Sequence, residues 1–339
     1  MNIKTKAFSL LLRPTSIPIF VRIFLLLIVS SLFVHIALAQ QSPQFSQYLQ
    51  NSYVINPAIT GVEDYLDVTA AYRNQWTGFD GAPRTGTLSI NSPLYLLKSK
   101  AKTNNETSFQ GVGAFIFSDN AGPISQMGFY GSYAYHLKLT SDWSLSMGTF
   151  VGAQQFKYDS SEAILLQNPN DPLVQSFSGI QFDMGLGTYL YSKTFFLGLS
   201  ANNIFDNSIP NESQNGVLTN DGRINRNYNL LLGSRIELSE NWQLVPSTLL
   251  RAVEGAPVQW DIATKFVYNN AFWAGAGFRN EDALIGLAGF NITENFLVSY
   301  SYDYSLNRFS GLQSGTHEIL LSYRYVFGTK KCACPLYSL

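Results

Sequence analysis

The sequence predicts an all-β fold, a transmembrane antiparallel β-barrel of about fourteen strands, and three observations carry that prediction. Charged residues make up 13% of the 339-residue chain while aromatics reach 14%, whereas an ordinary soluble domain is about one quarter charged. After residue 39 no apolar run approaches the roughly 20 residues that a membrane-spanning helix needs. The apolar residues instead alternate with polar ones in segments of about ten, as strands do that face lipid on one side and a lumen on the other.

The alternation is legible residue by residue. Between Met127 and Leu139 one face carries Met127, Phe129, Tyr133, Tyr135 and Leu137, and the other carries Gly128, Ser132, His136 and Lys138. Trp143, Leu145, Met147, Val151 and Ala153 likewise oppose Ser144, Ser146, Gly148, Gly152 and Gln154. Val258, Trp260, Ile262 and Phe266 oppose Gln259, Asp261 and Lys265, and Phe296, Val298, Tyr300, Tyr302 and Tyr304 oppose Ser299, Ser301 and Asp303. Successive side chains of a strand point to opposite faces, so each segment has one oily stripe. Segments of this kind fall at 65–73, 84–92, 109–118, 125–139, 143–158, 179–191, 194–203, 226–238, 242–253, 257–268, 271–279, 283–292, 296–304 and 316–327. A soluble sandwich would need polar outer faces, but here the larger aromatics occupy a face with hardly any charge. In lipid a closed sheet satisfies every backbone amide without leaving an edge.

Residues 1–39 read as a signal peptide. Lys4, Lys6, Arg13 and Arg22 precede an apolar run from Ile23 to Ile36, and Ala37-Leu38-Ala39 offers a small-x-small cleavage site. A retained anchor is the alternative, disfavoured by the short apolar core. Removing the segment leaves 18 basic and 23 acidic residues, a formal net charge of -5, which gives no reason to expect nucleic acid as a partner. Cys332 and Cys334 are the only cysteines, so no disulfide framework spans the body of an exported chain. Two close thiols also lack the four ligands of a structural zinc site.

The connections alternate in length. Those at 140–142, 192–193, 239–241, 269–270 and 293–295 are tight and polar, while 159–178, 204–225 and 305–315 are long. Bacterial barrels keep short turns on the periplasmic side, so parity places both termini in the periplasm. The stretch 93–108, long and on the turn side, is the exception. The resulting organisation is a signal peptide (1–39), a periplasmic N-terminal segment or plug (40–64), an outer-membrane barrel (65–327) and a periplasmic C-terminal tail (328–339). The 40–64 segment mixes Phe45, Tyr48, Tyr53 and Ile55 with Asn and Gln. It is suited to plugging the lumen or to holding a periplasmic partner, and the plug is favoured because a barrel this wide must fill its interior or leave a channel.

Four short motifs in the N-terminal third carry a resemblance. Pro43-Gln44-Phe45-Ser46-Gln47-Tyr48, then Asn56-Pro57-Ala58 with Gly61, then the run from Tyr72 to Pro83 (YRNQWTGFDGAP), then Ser92-Pro93 resemble the PorP/SprF family of the type IX secretion system of Bacteroidetes. The run from Tyr72 to Pro83 is the specific part. The resemblance implies a barrel that takes part in type IX secretion or gliding motility, with other secretion components and secreted surface proteins as partners and lipid around it. From chemistry alone, Arg73, Gln75 and Trp76 close the first strand, and Gly78, Gly81 and Pro83 force an irregular external turn. Trp beside Arg is a hot-spot composition for protein contacts. The candidate contact residues are therefore Tyr72, Arg73, Gln75, Trp76, Phe79, Phe45 and Tyr48. The competing reading makes Trp76 and Phe79 girdle aromatics folded into the barrel mouth.

The sequence carries no pattern of an enzyme and calls for no cofactor. The mature chain holds two histidines, His136 facing the lumen and His317 at the outer rim, neither with ligand-spaced partners. A hydrolase built on His317 and Glu318 is disfavoured because adjacent strand positions face opposite ways. Asn-rich stretches such as 168–171 and 220–227 suit calcium, but turns demand the same residues. A general porin or small-solute channel remains as the alternative function.

Overall fold

The computed structural model describes residues 44–97, 107–162, 176–205, 207–208, 223–307 and 310–326. Fourteen antiparallel strands form the wall: β1 (Leu66–Asn74), β2 (Arg84–Pro93), β3 (Ser108–Ala121), β4 (Ile124–Lys138), β5 (Ser144–Tyr158), β6 (Phe177–Tyr191), β7 (Phe195–Asn202), β8 (Asn227–Ser234), β9 (Trp242–Val253), β10 (Gln259–Tyr268), β11 (Phe272–Arg279), β12 (Ala283–Asn291), β13 (Phe296–Ser305) and β14 (Thr316–Tyr325). Each pairs with its neighbours in sequence, and the sheet closes where β1 meets β14, from Leu66 opposite Tyr325 to Asn74 opposite His317. Closure leaves no edge of the wall exposed to lipid.

The period-two pattern sets the facing. Met127, Phe129, Tyr133 and Tyr135 of β4 are exposed on the outside, while Tyr130, Ala134 and His136 are buried inside. Asp183, Arg251, Asp261, Lys265, Arg279 and Glu318 are likewise buried, each on the inward face of its strand. Charge thus stays away from hydrocarbon. At the turn end the β10–β11 hairpin closes through Asn269 and Asn270, both with positive φ (50° and 53°), the two-residue turn whose twist suits a hairpin and that Asn tolerates.

One expectation is corrected inside the barrel. The larger aromatics do not all face out: Phe115, Tyr130, Phe150, Tyr189, Phe196 and Trp273 are buried within. The reason is that the lumen holds protein rather than water. Residues 44–62 run through it, with helix α1 (Ser52–Ile55) and a 3-10 turn (Pro57–Ile59), and Tyr53 packs edge-on against Phe115 and Phe150 with ring centroids 6.0 and 5.8 Å apart.

The same segment spans the lumen from one mouth to the other. β1 begins and β14 ends at the turn end, but Gln44 lies at the loop end, hydrogen-bonded to Gln259 at the start of β10 (2.7 Å). At the opposite mouth Tyr65 sits under the Arg324 guanidinium, 5.6 Å from ring to carbon. The chain therefore crosses its own barrel end to end before entering the wall. The signal-peptide region, most of the long loops at 159–178 and 204–225, Phe327 and the tail with Cys332 and Cys334 lie outside the described residues.

Candidate functional site

The interior is organised around the lumen segment and the wall residues that hold it. At the loop end Arg73 of β1, Asp303 of β13 and Glu318 of β14 converge, all buried. Arg73 donates through Nη2 to Asp303 Oδ2 (2.9 Å) and through Nη1 to Glu318 Oε2 (3.2 Å) and Ser46 Oγ (2.7 Å). Arg279 of β11 joins by donating from Nε to Asp261 (3.1 Å), and its Nη1 stands 3.5 Å from Asp303. Four carboxylates, counting Asp282 at 3.4 Å from Arg279 Nη1, face two guanidinium groups, and the segment's own backbone supplies further donors: Ser46 N–H and Gln47 N–H both donate to Glu318, at 2.8 and 3.1 Å. Ser46 Oγ–H donates to Asp303 (2.6 Å). Buried charges are tolerated only when paired and hydrogen-bonded, so this latch and the chain it holds require one another.

Below the latch, contacts run down the segment. Tyr48 bonds Ser247 (2.8 Å) and Tyr53 bonds Ser132 (2.7 Å). The Ile55 carbonyl accepts from Ser200 Oγ and Asn202 Nδ2, both at 2.9 Å. Asn56 opens the 3-10 turn, its side chain accepting from Ala58 N–H (2.9 Å) while its amide donates to the Thr188 carbonyl (3.1 Å). Pro57 suits the first helical position because it has no N–H to satisfy. His136 Nε2 lies 2.9 Å from the Thr60 carbonyl, an acceptor only, so Nε2 carries the proton and Nδ1 accepts from the Tyr191 hydroxyl (3.1 Å). The lone lumen histidine is thereby a fastening for the segment.

Glycines make the wall thin where the segment comes closest. A Cβ at Gly111 would collide with the Thr60 carbonyl, one at Gly148 with the Pro57 carbonyl, and one at Gly187 with Asn56 Oδ1. Only a residue without a side chain allows backbone to approach so near.

The seven candidate contact residues separate into three groups. Phe45, Tyr48 and Arg73 are buried in the lumen, where they hold the segment and no outside partner touches them without displacing it. Tyr72 is half exposed on the lipid side of β1. Gln75, Trp76 and Phe79 form the rim: Gln75 N–H donates to the Pro83 carbonyl (2.9 Å), and Thr77 and the 306–315 connection exchange backbone bonds, Thr77 N–H to Gly315 O and Ser314 N–H to Thr77 O, both 2.8 Å. Trp76 adopts φ 47°, a left-handed conformation that costs a bulky residue roughly 1–3 kcal/mol. Its N–H is held by Thr316 Oγ1 (3.1 Å). Residues that sequence reasoning passed over are Ser46, Gln47, Arg279, Asp303 and Glu318. For Arg279, Asp303 and Glu318 the signal was charge at inward strand positions.

His317 and Glu318 do face opposite ways, Glu318 into the latch and His317 Nδ1 to the exposed Tyr300 hydroxyl at 2.6 Å, so they form no catalytic pair. Among the described residues no group of three His, Cys, Asp or Glu is placed to hold a metal ion.

The motifs that seemed scattered along the sequence meet here as the segment, its cradle and its latch. A family model described as type IX secretion system membrane protein PorP/SprF matches residues 37–323, covering the segment and nearly the whole wall. The chain belongs to the PorP/SprF family. Membership in this secretion family and the closed barrel place the chain in the outer membrane. No curated protein matches it. Among solved structures it is similar to the Pseudomonas putida toluene transporter TodX (9% identity, 81% of this chain and 93% of that one, TM-score 0.46). It is also similar to the Ralstonia pickettii toluene transporter TbuX (10%, 81% and 92%, 0.45) and to a Pseudomonas aeruginosa FadL homologue (13%, 85% and 95%, 0.44). At these identities the likeness is one of barrel architecture alone.

Proposed function

We propose that this PorP/SprF barrel works without enzymatic activity or cofactor, helping to secrete or retain surface proteins through contacts with other type IX components. The observation that supports this reading is the latched segment: a barrel whose lumen is crossed by its own chain is built to hold and to be held rather than to pass solute. The direct test is affinity isolation from detergent-solubilised envelopes, with profiling of surface and secreted proteins in a deletion strain. Co-purified envelope proteins and a surface protein that is lost or trapped are the expected result. An empty isolation with an unchanged surface profile defeats the proposal.

The porin alternative makes a different demand. In planar bilayers the intact protein is expected to stay closed, and a variant lacking residues 44–60 to conduct. Steady conductance of the intact protein would favour the channel.

Contact is proposed at the loop mouth, through Trp76 and Phe79. Replacing both by Ala is expected to remove partner retention while the barrel still assembles, and loss of the barrel itself would return these residues to a packing role.

Orientation completes the proposal. With the tight turns in the periplasm β14 ends on the periplasmic side, and Gln44 lies at the external mouth, opposite to the parity expectation. An epitope inserted at Gln44 should then be reached by antibody on intact cells, and one inserted at Val326 only after permeabilisation. A third epitope in the 306–315 loop reports orientation independently. An accessible loop with an inaccessible N-terminal epitope defeats the threading, and an inaccessible loop defeats the orientation.

A further inference from the structure

Beside the lumen segment, toward the loop end, lies a cavity of about 140 Å³ whose two sides differ in chemistry. One side is aromatic: Phe115 stacks on Tyr130 with centroids 5.0 Å apart, and Phe150 meets Phe115 edge-on at 5.0 Å. The other carries Asp183, Asn202, Asn227, Asn229 and Arg251 from β6 to β9. Asp183, Asn227, Asn229 and Arg251 are each more than nine-tenths buried, yet among the described residues Oδ1 of Asp183, Asn202, Asn227 and Asn229 has no hydrogen-bond partner. Buried acceptors are rarely left so, and four lining one cavity require an account.

The donors around them explain why the oxygens are left over. Ser200 Oγ–H is committed to the Ile55 carbonyl, so Ser200 can only accept from Asn229 Nδ2 (3.2 Å), while Asn202 Nδ2 is committed to the same carbonyl. Both amides are thus fixed with nitrogen in the network and oxygen free of it. Tyr130 satisfies only Asp183 Oδ2 (3.1 Å). Asp261, on the neighbouring strand, is already taken by Arg279 (3.1 Å), and among the described residues Arg251 forms no ion pair.

The geometry points to a binding site for a neutral polyhydroxylated ring, a saccharide unit, taken up from the loop side. A cation would meet Arg251 and an anion would meet Asp183, so neither charge sign suits the lining. Hydroxyl groups donate to the four free oxygens and accept from the guanidinium. The apolar C–H face of a sugar ring lies on the aromatic side, a few polar groups fixing its orientation as in other small-molecule sites. This site is separate from the latch and does not depend on how the barrel contacts its partners.

Calorimetric titration of the full chain in detergent tests it, with D-glucose, D-galactose and N-acetyl-D-glucosamine as probes and alanine and n-butylammonium as zwitterionic and cationic comparators. Saturable binding of at least one sugar in the millimolar range is expected, with none by the comparators. Asn227→Ala and Arg251→Met should each weaken it about three- to tenfold, the worth of a hydrogen bond or two. The Asn227 side chain makes no hydrogen bond among the described residues, so an unchanged thermal transition in that variant separates binding from folding. The inference is overturned if no sugar binds saturably, if both variants bind as tightly as the parent, or if a comparator binds in the sugars' place.

Discussion

Replacing Arg73 by Ala is expected to lower the stability of the folded barrel by about 3–5 kcal/mol, because it leaves Glu318 buried without its cation and Asp303 with only the longer contact to Arg279 (3.5 Å). The substitution removes no apolar packing from the lipid face, since Arg73 points inward between the half-exposed Tyr72 and its neighbours. The loss is therefore electrostatic, and it falls on both sides of the latch. Ser46 Oγ loses the donor at 2.7 Å, and the first turn of the lumen segment is left tied to two carboxylates that repel each other. A lower urea midpoint of the detergent-folded protein, followed by tryptophan fluorescence, is the measurement. Arg73→Lys keeps the charge but not the planar fork that reaches two carboxylates at once, so its midpoint should fall between the two. Restoring neutrality with Arg73→Met, Asp303→Asn and Glu318→Gln together should recover most of the loss, since polar replacements without net charge need far less compensation. An unchanged midpoint in Arg73→Ala would show that the cluster contributes nothing and that the segment is held by its lower contacts.

Much of the wall is legible in the sequence because lipid imposes a local rule. Every second residue must be apolar, and a turn must follow once the bilayer is crossed, so the expected 242–253 coincides with β9 and 143–158 with β5 to within one residue. The facing of single residues follows as well. With Tyr72 on the lipid side, Arg73 had to point inward, and the same parity puts Asp303 and Glu318 inside. What parity cannot supply is who meets whom across the lumen. Ser46 and Glu318 are separated by 272 positions, and no periodicity relates them. The Tyr72–Pro83 run accordingly reads as a contact surface on composition, whereas its arginine serves the interior and its Trp76 the rim. The need to fill a wide lumen pointed to residues 40–64 as its plug, but not to the path or contacts of that plug, because the residues that fill the lumen show no strand or helix period of their own.

The second large effect is expected from the glycines that face the segment. Gly111→Ala places a methyl group against the Thr60 carbonyl, and Gly187→Ala places one against Asn56 Oδ1 and the Pro57 ring. Overpacking of this kind costs about 1–3 kcal/mol. The wall cannot yield, because both residues sit in strands paired on either side, Gly111 with Pro93 and Ala134, Gly187 with Gly148 and Ser200. The segment must move instead. Asn56 and Thr60 belong to one short stretch stiffened by the Asn56 cap and the 3-10 turn, so displacing either end releases the contacts of both. The two substitutions should therefore combine to less than the sum of their separate effects. Chymotrypsin reads this directly: the segment offers Phe45, Tyr48 and Tyr53, all buried in the parent protein, and cleavage should accelerate in each variant while the barrel stays intact on a gel. Gly86→Ala is the control, since a Cβ there meets nothing within 4 Å. If Gly86→Ala and Gly111→Ala are cut at the parent's rate, the close approach of segment to wall is not what keeps the lumen filled, and the latch alone must carry that role.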